Sequence, residues 1–468
     1  MTTASRLRCT GCGGEPGGCE PYPFRCPNVD SGDGADHVLR RRLDPASVAF
    51  PAGDEEPNPF VRYRHLLHPY HVAVSHGFSD TEFCELVRRL DRRVEDVDGT
   101  GFRVTPFARS DALSDRLGFS PDGGVWVKDE TGNVSGSHKG RHLFDVLLQL
   151  DVAERLSWAS PLERPELAIA SCGNAALAAG VLAAAAGRPL TVFLPPDAEP
   201  GVTERLRELG ARLVICARDG SAGDPTYARL LEALDHGALP FTCQGNLNGL
   251  AVEGGATLGF EVVSSLVEAR TTLDRVVVQV GGGALASACY EAFADACALG
   301  VLRRLPKLDT VQTAGAWPLR RAYRRVRARD GMDALADAAR HRAGFMWPWE
   351  NEPVSVAHGI LDDETYDWVA VCEGMLASRG TPVVAGEETL LEANELGRAA
   401  TGIDVDPTGS SGLAGLVALI AEGRVSPDER VAVLFTGAVR TTLISRDERN
   451  GDEKLSGQGH PVAQGVRT

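Results

Sequence analysis

Short apolar segments alternate with helical segments from about residue 100 onward, and this alternation constrains the fold more than any other feature. Continuous short apolar runs are typical of parallel strands that helices cover on both faces. We therefore predict an α/β protein with mainly parallel, doubly covered sheets. The predicted strands cover residues 125–127, 166–170, 190–194, 213–216, 276–280 and 431–435, and the predicted helices cover 80–90, 175–186, 203–209 and about 255–268, with two more beginning near Lys139 and at Ala284.

The length of the chain, 468 residues, exceeds what one hydrophobic core supports, so we expect more than one structural unit. Residues 1–60 form a predicted loop-rich, cysteine-rich module, and residues 61–100 a helical lead-in. The main region spans 101–446, with a smaller mobile domain at about 140–250 and a larger domain formed by the remainder. Residues 447–468 are predicted to be a polar tail.

The acidic balance of the chain argues against two classes of partner. With a formal net charge of −16, we expect neither nucleic acid nor an anionic membrane to be the main partner. The longest apolar run, residues 175–186, is interrupted by Gly180 and is too short to cross a bilayer. Residues 1–10 lack the apolar core of a secretory signal, so we expect a cytoplasmic protein.

Four cysteines near the N-terminus are candidate metal ligands: Cys9, Cys12, Cys19 and Cys26, with His37 beyond them. The spacing of Cys9 and Cys12 is that of a chelating turn for zinc in a reducing compartment. The two later cysteines are not paired as in a zinc ribbon, so a metal-free, cysteine-rich cap is the alternative. The other seven of the eleven cysteines lie in apolar segments, where free cysteine is commonly a small buried hydrophobe.

Lys139 follows a run of small residues, Ser135-Gly136-Ser137-His138, and begins a helical pattern. A lysine on a tight, glycine-flanked helix start can be held close to a bound aldehyde, with which it can form a Schiff base. Serine is also an ordinary N-cap residue. A surface lysine beside a helix cap is therefore the alternative.

Three more motifs each follow a predicted strand. Gly281-Gly282-Gly283-Ala284-Leu285 lacks the features of Walker and dinucleotide-binding loops, but its N–H groups suit a single phosphate. The turn Ser171-Cys172-Gly173-Asn174 suits a substrate carboxylate, and Thr436 places a hydroxyl at the same sheet edge. A tight turn and a plain N-cap are the alternatives for the glycines and for Asn174.

Taken in order, the four motifs resemble those of the fold-type II pyridoxal-phosphate enzymes, the tryptophan synthase β family, and within it the threonine synthase-like and serine/threonine dehydratase branch. The resemblance covers about residues 100–445 and implies two α/β domains, pyridoxal 5'-phosphate as cofactor and a homodimer. It implies that Lys139 forms the Schiff base, Asn174 contacts the cofactor's phenolic oxygen and Thr436 its ring nitrogen. By the same resemblance, the phosphate would bind Gly281, Gly282, Gly283, Ala284 and Leu285, and the substrate would contact Ser171, Cys172, Gly173, Ser135 and His138.

Departures from the family's motifs bear on the substrate. Ala251 and Ala256 stand where threonine synthases typically have arginine and lysine, so two cations expected to help bind a phosphorylated substrate are missing. Ala175 stands where dehydratases usually have histidine. His138 is a candidate acid for departure of the leaving group, with a packing role as the alternative.

The resemblance and these departures favour a lyase that eliminates the β-substituent of an unphosphorylated amino acid, with a β-hydroxy amino acid preferred, to give a 2-oxo acid and ammonia. A replacement enzyme of the threonine or cysteine synthase type is one alternative, and a catalytically inactive regulator with the same fold is another. The unusual segment 341–358, with Trp347 and Trp349, is predicted to line the substrate entrance.

Overall fold

The strands form three sheets in the computed structural model, which describes residues 4–218 and 223–440. The strands are β1 (Ser5–Cys9), β2 (Leu39–Leu43), β3 (Phe107–Ser110), β4 (Gly124–Asp129), β5 (Leu167–Ala170), β6 (Leu190–Leu194), β7 (Arg212–Ile215), β8 (Leu239–Pro240), β9 (Arg275–Gln279), β10 (Lys307–Thr313), β11 (Pro382–Ala385) and β12 (Arg430–Phe435). β1 and β2 pair in antiparallel fashion. The largest sheet has the order β11-β10-β9-β12-β4-β3, and the third has the order β7-β6-β5-β8.

Helices cover both larger sheets. They are α1 (Pro59–Arg62), α2 (His68–Ser75), α3 (Asp80–Asp98), α4 (Asp111–Arg116), α5 (Lys139–Arg155), α6 (Asn174–Ala186), α7 (Pro200–Glu208), α8 (Pro225–Asp235), α9 (Leu250–Glu268), α10 (Ala284–Ala298), α11 (Pro318–Arg327), α12 (Met332–Arg340), α13 (Trp368–Ser378), α14 (Glu387–Thr401) and α15 (Ser411–Ala421). Apart from the antiparallel pair β3–β4, every strand pair in these two sheets is parallel. The predicted α/β class with mainly parallel sheets is confirmed. The predicted polar tail, 447–468, lies outside the described residues.

Helix α9 begins at Leu250, five residues before the predicted start at about 255. Gly254 and Gly255 weaken a helix prediction, because glycine is unfavourable inside helices. Here they permit close packing on α5: a side chain on Gly254 would meet the backbone of Arg141, and one on Gly255 would meet the His142 imidazole. The tertiary contact therefore outweighs the local propensity.

The same helix has the length and hydropathy of a membrane-crossing segment, alone among the helices in 4–218 and 223–440. However, 89% of its apolar window is buried inside the protein. It packs against α5 and α10, and its apolar side chains belong to the protein core. Such burial is typical of a core helix.

The sheet order brings distant parts of the chain to one edge. β12 lies between β4 and β9, so the segments that follow these three strands are neighbours in space. Lys139 lies in the segment after β4, Thr436 directly follows β12, and Gly281 lies in the loop after β9. The turn from Ser171 to Asn174 follows β5 of the third sheet.

Candidate active site

The segment before Lys139 is bound to the end of β12. Ser137 and Gly437 form an isolated antiparallel bridge, and the N–H of His138 donates to the carbonyl of Thr436 at 3.1 Å. Lys139 is half-buried as the first residue of α5. Its position beside Thr436 is therefore set by backbone hydrogen bonds.

Ser135 adopts an unusual backbone conformation in this segment. Its φ of 56° lies in the left-handed region, which residues with a side chain seldom adopt. Its N–H donates to the Asp98 carboxylate at 2.9 Å, which stabilises the turn. Its buried hydroxyl has no hydrogen-bonding partner in the part of the chain that the structure describes. The hydroxyl therefore has a hydrogen-bonding capacity that these residues do not use.

The hydroxyl of Thr436 is oriented by Gln279, the last residue of β9. The Gln279 Nε2 donates to two carbonyls, of Gly409 at 2.7 Å and of Leu434 at 3.2 Å, and to the Thr436 Oγ1 at 2.8 Å. The two carbonyls determine which end of the amide carries the nitrogen. Because Thr436 Oγ1 accepts this bond, its own hydrogen remains free to be donated to a ligand.

His138 is neutral, and the position of its proton is determined by its partner. Its Nδ1 lies 3.1 Å from the Thr436 carbonyl, to which it must donate, and burial together with the Lys139 charge lowers its pKa well below the usual value. The imidazole of His142 lies at 5.4 Å between ring centroids. His138 therefore has no ready proton for a leaving group, and this geometry favours the packing interpretation.

The glycine loop after β9 is covered by residues 360–367. A side chain on Gly281 would collide with the Asp362 carboxylate, and one on Gly282 would come within 2.9 Å of the Tyr366 ring. The Asp362 carboxylate lies against Gly281 and Gly282, and the nearby N–H of Gly282 opposes the effect of burial on its pKa. The Thr365 hydroxyl donates to the carbonyl of Gly281 at 3.0 Å. The glycine loop is thus in contact with a carboxylate of the protein itself, that of Asp362.

Two acidic side chains lie near Lys139. Burial raises the pKa of Asp362 to about 6, and the positive charge of Lys139 opposes this rise. Burial raises the pKa of Asp367 to about 7, and the N–H of Gly245 and the Lys139 charge oppose it. These two carboxyl groups can therefore gain or lose a proton near neutral pH.

Asn174 begins α6 and faces the end of β12. Its amide nitrogen lies 2.6 Å from the position that a Cβ on Gly437 would occupy, and its side chain opposes the effect of burial on the pKa of Asp406. Its Oδ1 has no hydrogen-bonding partner among residues 4–218 and 223–440. Asn174 is therefore held in place on one side and can bind a ligand on the other.

Arg440 lies over the turn that precedes Asn174. Its Nη2 is 2.9 Å from the position of a Cβ on Gly173, and its Nη1 pairs with Glu199 at 2.8 Å. The Arg440 charge also opposes the effect of burial on the pKa of Cys172. A guanidinium thus lies beside the turn predicted to bind a substrate carboxylate.

The comparison with known families agrees with this geometry. Residues 100–437 match the family described as pyridoxal-phosphate dependent enzyme. The chain belongs to this family. The predicted family and the predicted cofactor, pyridoxal 5'-phosphate, are therefore confirmed.

Relatives within this family of pyridoxal-phosphate dependent enzymes differ in their reactions. Threonine synthase from Methanocaldococcus jannaschii is 26% identical over 335 residues, covering 71% of this chain and 74% of that protein. L-threonine ammonia-lyase from Thermotoga maritima is 27% identical over 235 residues, covering 50% of this chain and 52% of that protein. Diaminopropionate ammonia lyase from Escherichia coli has a similar fold, with a TM-score of 0.56 and 19% identity, covering 78% of this chain and 92% of the other.

The residues of the cleft fit pyridoxal phosphate. The loop of Gly281 to Gly283 accommodates an oxyanion where a Cβ would collide, as the Asp362 carboxylate shows. Thr436 has a hydrogen to donate to a ring nitrogen. The glycine loop would hold the phosphate, and Thr436 would hold the ring nitrogen.

Three residues of this site were not predicted from the sequence: Gln279, Asp362 and Arg440. Gln279 had a local signal, because it is a polar residue at the end of an otherwise apolar strand. Asp362 and Arg440 had none, because their contacts are with Gly282 and Gly173, far away along the chain. Only the tertiary fold brings them to the cleft.

The segment predicted to line the substrate entrance packs against α11 at its centre. The Arg321 guanidinium lies 3.7 Å from the Trp347 ring centroid and 5.1 Å from that of Trp349. These cation–π contacts explain the two tryptophans without a ligand. The chain just beyond the segment does approach the cleft, because the Ile360 Cα lies 2.9 Å from the position that a Cβ on Gly281 would occupy.

Proposed function

We propose that this enzyme eliminates the β-substituent of an unphosphorylated amino acid, preferably a β-hydroxy amino acid, and releases a 2-oxo acid and ammonia. The observation that carries the proposal is the hydrogen bond from Gln279 to Thr436, beside Lys139. It leaves the Thr436 hydroxyl as a neutral donor at a position where a carboxylate would instead keep the ring nitrogen of the cofactor protonated. When bound, pyridoxal phosphate withdraws electrons from the substrate's α-carbon, and a hydroxyl partner keeps this withdrawal weak, which favours prompt loss of a β-substituent over transamination.

The residues of the cleft have separate roles in this proposal. The Lys139 Nζ takes the proton from the substrate's α-carbon. The N–H groups of the Ser171 to Gly173 turn hold the α-carboxylate, and Arg440 supplies a charge-assisted hydrogen bond to it. Ser135 has a free hydroxyl for the substrate. The reaction needs no cation for a phosphate on the substrate.

Replacement chemistry of the threonine synthase type is the second candidate. The similarity to threonine synthase over 71% of the chain favours it. Against it stands the absence of charge at Ala251 and Ala256, both of which are fully buried in α9. A threonine synthase of this sequence would have to bind the substrate phosphate with other cations.

A substrate panel tests the proposal. Purified enzyme with bound cofactor is assayed for ammonia and 2-oxo acid with serine, threonine, 3-hydroxyaspartate and phenylserine, and for phosphate release with O-phosphohomoserine. Ammonia release from a hydroxy amino acid, abolished by Lys139→Ala, supports elimination. Turnover of O-phosphohomoserine alone would overturn it in favour of replacement. If no substrate in the panel gives product, and if Lys139→Ala does not change the absorbance spectrum, the results would favour the inactive regulator.

The oligomeric state and the location of the enzyme are part of the same proposal. The family resemblance supports a homodimer, which light scattering of the purified protein tests. We also propose a cytoplasmic location and a small-molecule amino-acid substrate, and the acidic composition argues against nucleic acid as the partner.

A further inference from the structure

A cluster of four potential metal ligands lies in the N-terminal module, outside the active site. The Sγ atoms of Cys9, Cys12 and Cys26 and a ring nitrogen of His37 all lie within 4.8 Å of one another. Cys9 and Cys26 are buried, with 3% and 1% of their surface exposed. These residues come from three separate segments, so the fold, and not local spacing alone, assembles the cluster.

The distances within the cluster match tetrahedral coordination of zinc. Bond lengths of about 2.3 Å to sulfur and about 2.0 Å to nitrogen place two sulfurs about 3.8 Å apart, and a sulfur and a nitrogen about 3.5 Å apart. The Cys12 and Cys26 sulfurs are 3.5 Å apart, and the Cys9 sulfur is 3.6 Å from the His37 Nδ1. A disulfide requires about 2.05 Å, so the sulfurs are not in bonding contact.

Contacts around the cluster favour bound metal over free thiols. The His37 Nε2 lies 2.9 Å from the Asp33 carboxylate, which orients the ring and leaves Nδ1 to face the sulfurs. The Cys12 sulfur accepts from the N–H of Gly14 and from the Asn28 side chain, both at 3.4 Å. Donors directed at sulfur stabilise the thiolate, which is the form that binds zinc.

The pairing of β1 and β2 explains why His37 completes the set. Cys9, the last residue of β1, pairs with Leu39, the first residue of β2, so His37 lies just beyond the paired strands on the Cys9 side. Gly11 allows the cysteine turn to pass close to the backbone of Asp36, because a Cβ there would approach the Asp36 carbonyl carbon to 3.0 Å. A larger residue at position 11 would separate Cys12 from His37.

Cys19 is not part of the cluster, so the structure brings together three of the four cysteines that the sequence predicted as ligands and adds His37. It is exposed, in a turn closed by a hydrogen bond from the N–H of Glu20 to the carbonyl of Gly17 at 3.1 Å. The flanking glycines let this turn project into solvent. His37 takes the place that the sequence analysis gave to Cys19.

We propose that Cys9, Cys12, Cys26 and His37 bind one zinc ion. All four positions of a tetrahedron are filled by the protein, which is typical of a structural site and leaves no position for a substrate. The ion would join the cysteine turn to the start of β2.

The metal would thereby stabilise contacts between the module and the catalytic region. Arg40 and Arg41 of β2 pair with Glu373 of α13 and Glu291 of α10, at 2.7 and 2.6 Å, and both arginines are buried. Asp36, next to the proposed ligand His37, pairs with Arg342 at 3.1 Å. Loss of the ion should therefore lower the thermal stability of the whole enzyme.

The test compares the metal content of matched variants of the full chain. The protein is purified under reducing conditions without added chelator, and its zinc content is measured by inductively coupled plasma mass spectrometry. We expect about one zinc per chain in the wild type and in Cys19→Ser, and less than about a tenth of that in Cys26→Ser and His37→Ala. Equal zinc in all four proteins, or loss in Cys19→Ser as well, would overturn the proposal.

A second measurement covers the case in which the ligand variants do not fold. Wild-type zinc is exchanged for cobalt, whose absorption bands distinguish tetrahedral thiolate coordination from octahedral oxygen coordination. Thiolate-to-cobalt bands support the proposal. Their absence, or an intact-mass and thiol count showing a Cys12–Cys26 disulfide in the purified protein, would contradict it.

Discussion

The Asp362 carboxylate packs directly on Gly281, against the loop predicted to bind the cofactor phosphate. The contact depends on glycine, because a side chain on Gly281 would displace this carboxylate. A backbone hydrogen bond joins the same two segments: the N–H of Asp367 donates to the carbonyl of Gly282 at 2.9 Å. A phosphate that binds here must therefore compete with an anion of the protein.

This competition predicts that Asp362→Asn binds pyridoxal phosphate more tightly than the wild type. We expect an affinity gain of about tenfold or more, or about 1.4 kcal/mol, at pH 8, because removal of the negative charge removes its repulsion of the phosphate. Absorbance titration of the apoenzyme measures it. Asp363→Asn, a change at the adjacent half-buried residue, is the control.

The pH dependence of the same titration is a separate check. The pKa of Asp362 is about 6, so the wild-type carboxyl is neutral below that pH and charged above it. The affinity ratio of Asp362→Asn to wild type should therefore be near one at pH 5 and grow as the pH rises through 6. A ratio that does not change with pH would argue against competition.

The role of Thr436 predicts a difference between two conservative variants. Thr436→Ser keeps the hydroxyl that accepts from Gln279 and should retain most activity and the cofactor spectrum. Thr436→Val removes the donor, and we expect kcat to fall about tenfold or more, or about 1.4 kcal/mol, with a changed visible spectrum. Equal losses in both variants, with unchanged spectra, would indicate a packing role instead.

Arg440 is expected to act on substrate binding. Its Nη2 lies beside Gly173, so Arg440→Ala should lose one charge-assisted hydrogen bond to the substrate, about 1.5–3 kcal/mol. We expect KM to rise about 10- to 150-fold with little change in kcat. Arg440→Lys should recover part of the loss. Arg229→Ala, which removes an exposed pair with Glu232, should leave KM unchanged.

Asp145 predicts a pH dependence of stability. It is buried in α5, and burial raises its pKa to about 8, although the charge of Arg41 opposes the rise. Because the pKa is raised on folding, the wild type loses stability as the pH rises from about 4 to 8, by at most about 1.4 kcal/mol per unit. The melting temperature of Asp145→Asn minus that of the wild type should therefore increase from pH 5 to pH 8. Above pH 8 this difference should stay constant. Asp333→Asn, at an exposed position, should show no such trend.

Contiguous motifs made much of the site predictable. The run before Lys139, the Asn174 turn and the loop from Gly281 each occupy a few consecutive residues after a strand, and their order alone indicated the family. The α/β class followed in the same way from short apolar strands. Helix α9 shows where such prediction fails. Gly254 and Gly255 weakened the prediction of its first turns, which close packing on α5 stabilises in the structure.

The amino-acid sequence by itself determined the fold class, the family and the cofactor, and it predicted the positions of the binding motifs, because each of these depends on a local pattern of residues. Only the tertiary structure decided that Asp362 lies against the glycine loop and that Gln279 orients Thr436. It also decided that His37, and not Cys19, completes the cysteine cluster. The physical reason is the same in each case. These partners are far apart along the chain, and only strand order and register bring them within hydrogen-bonding distance.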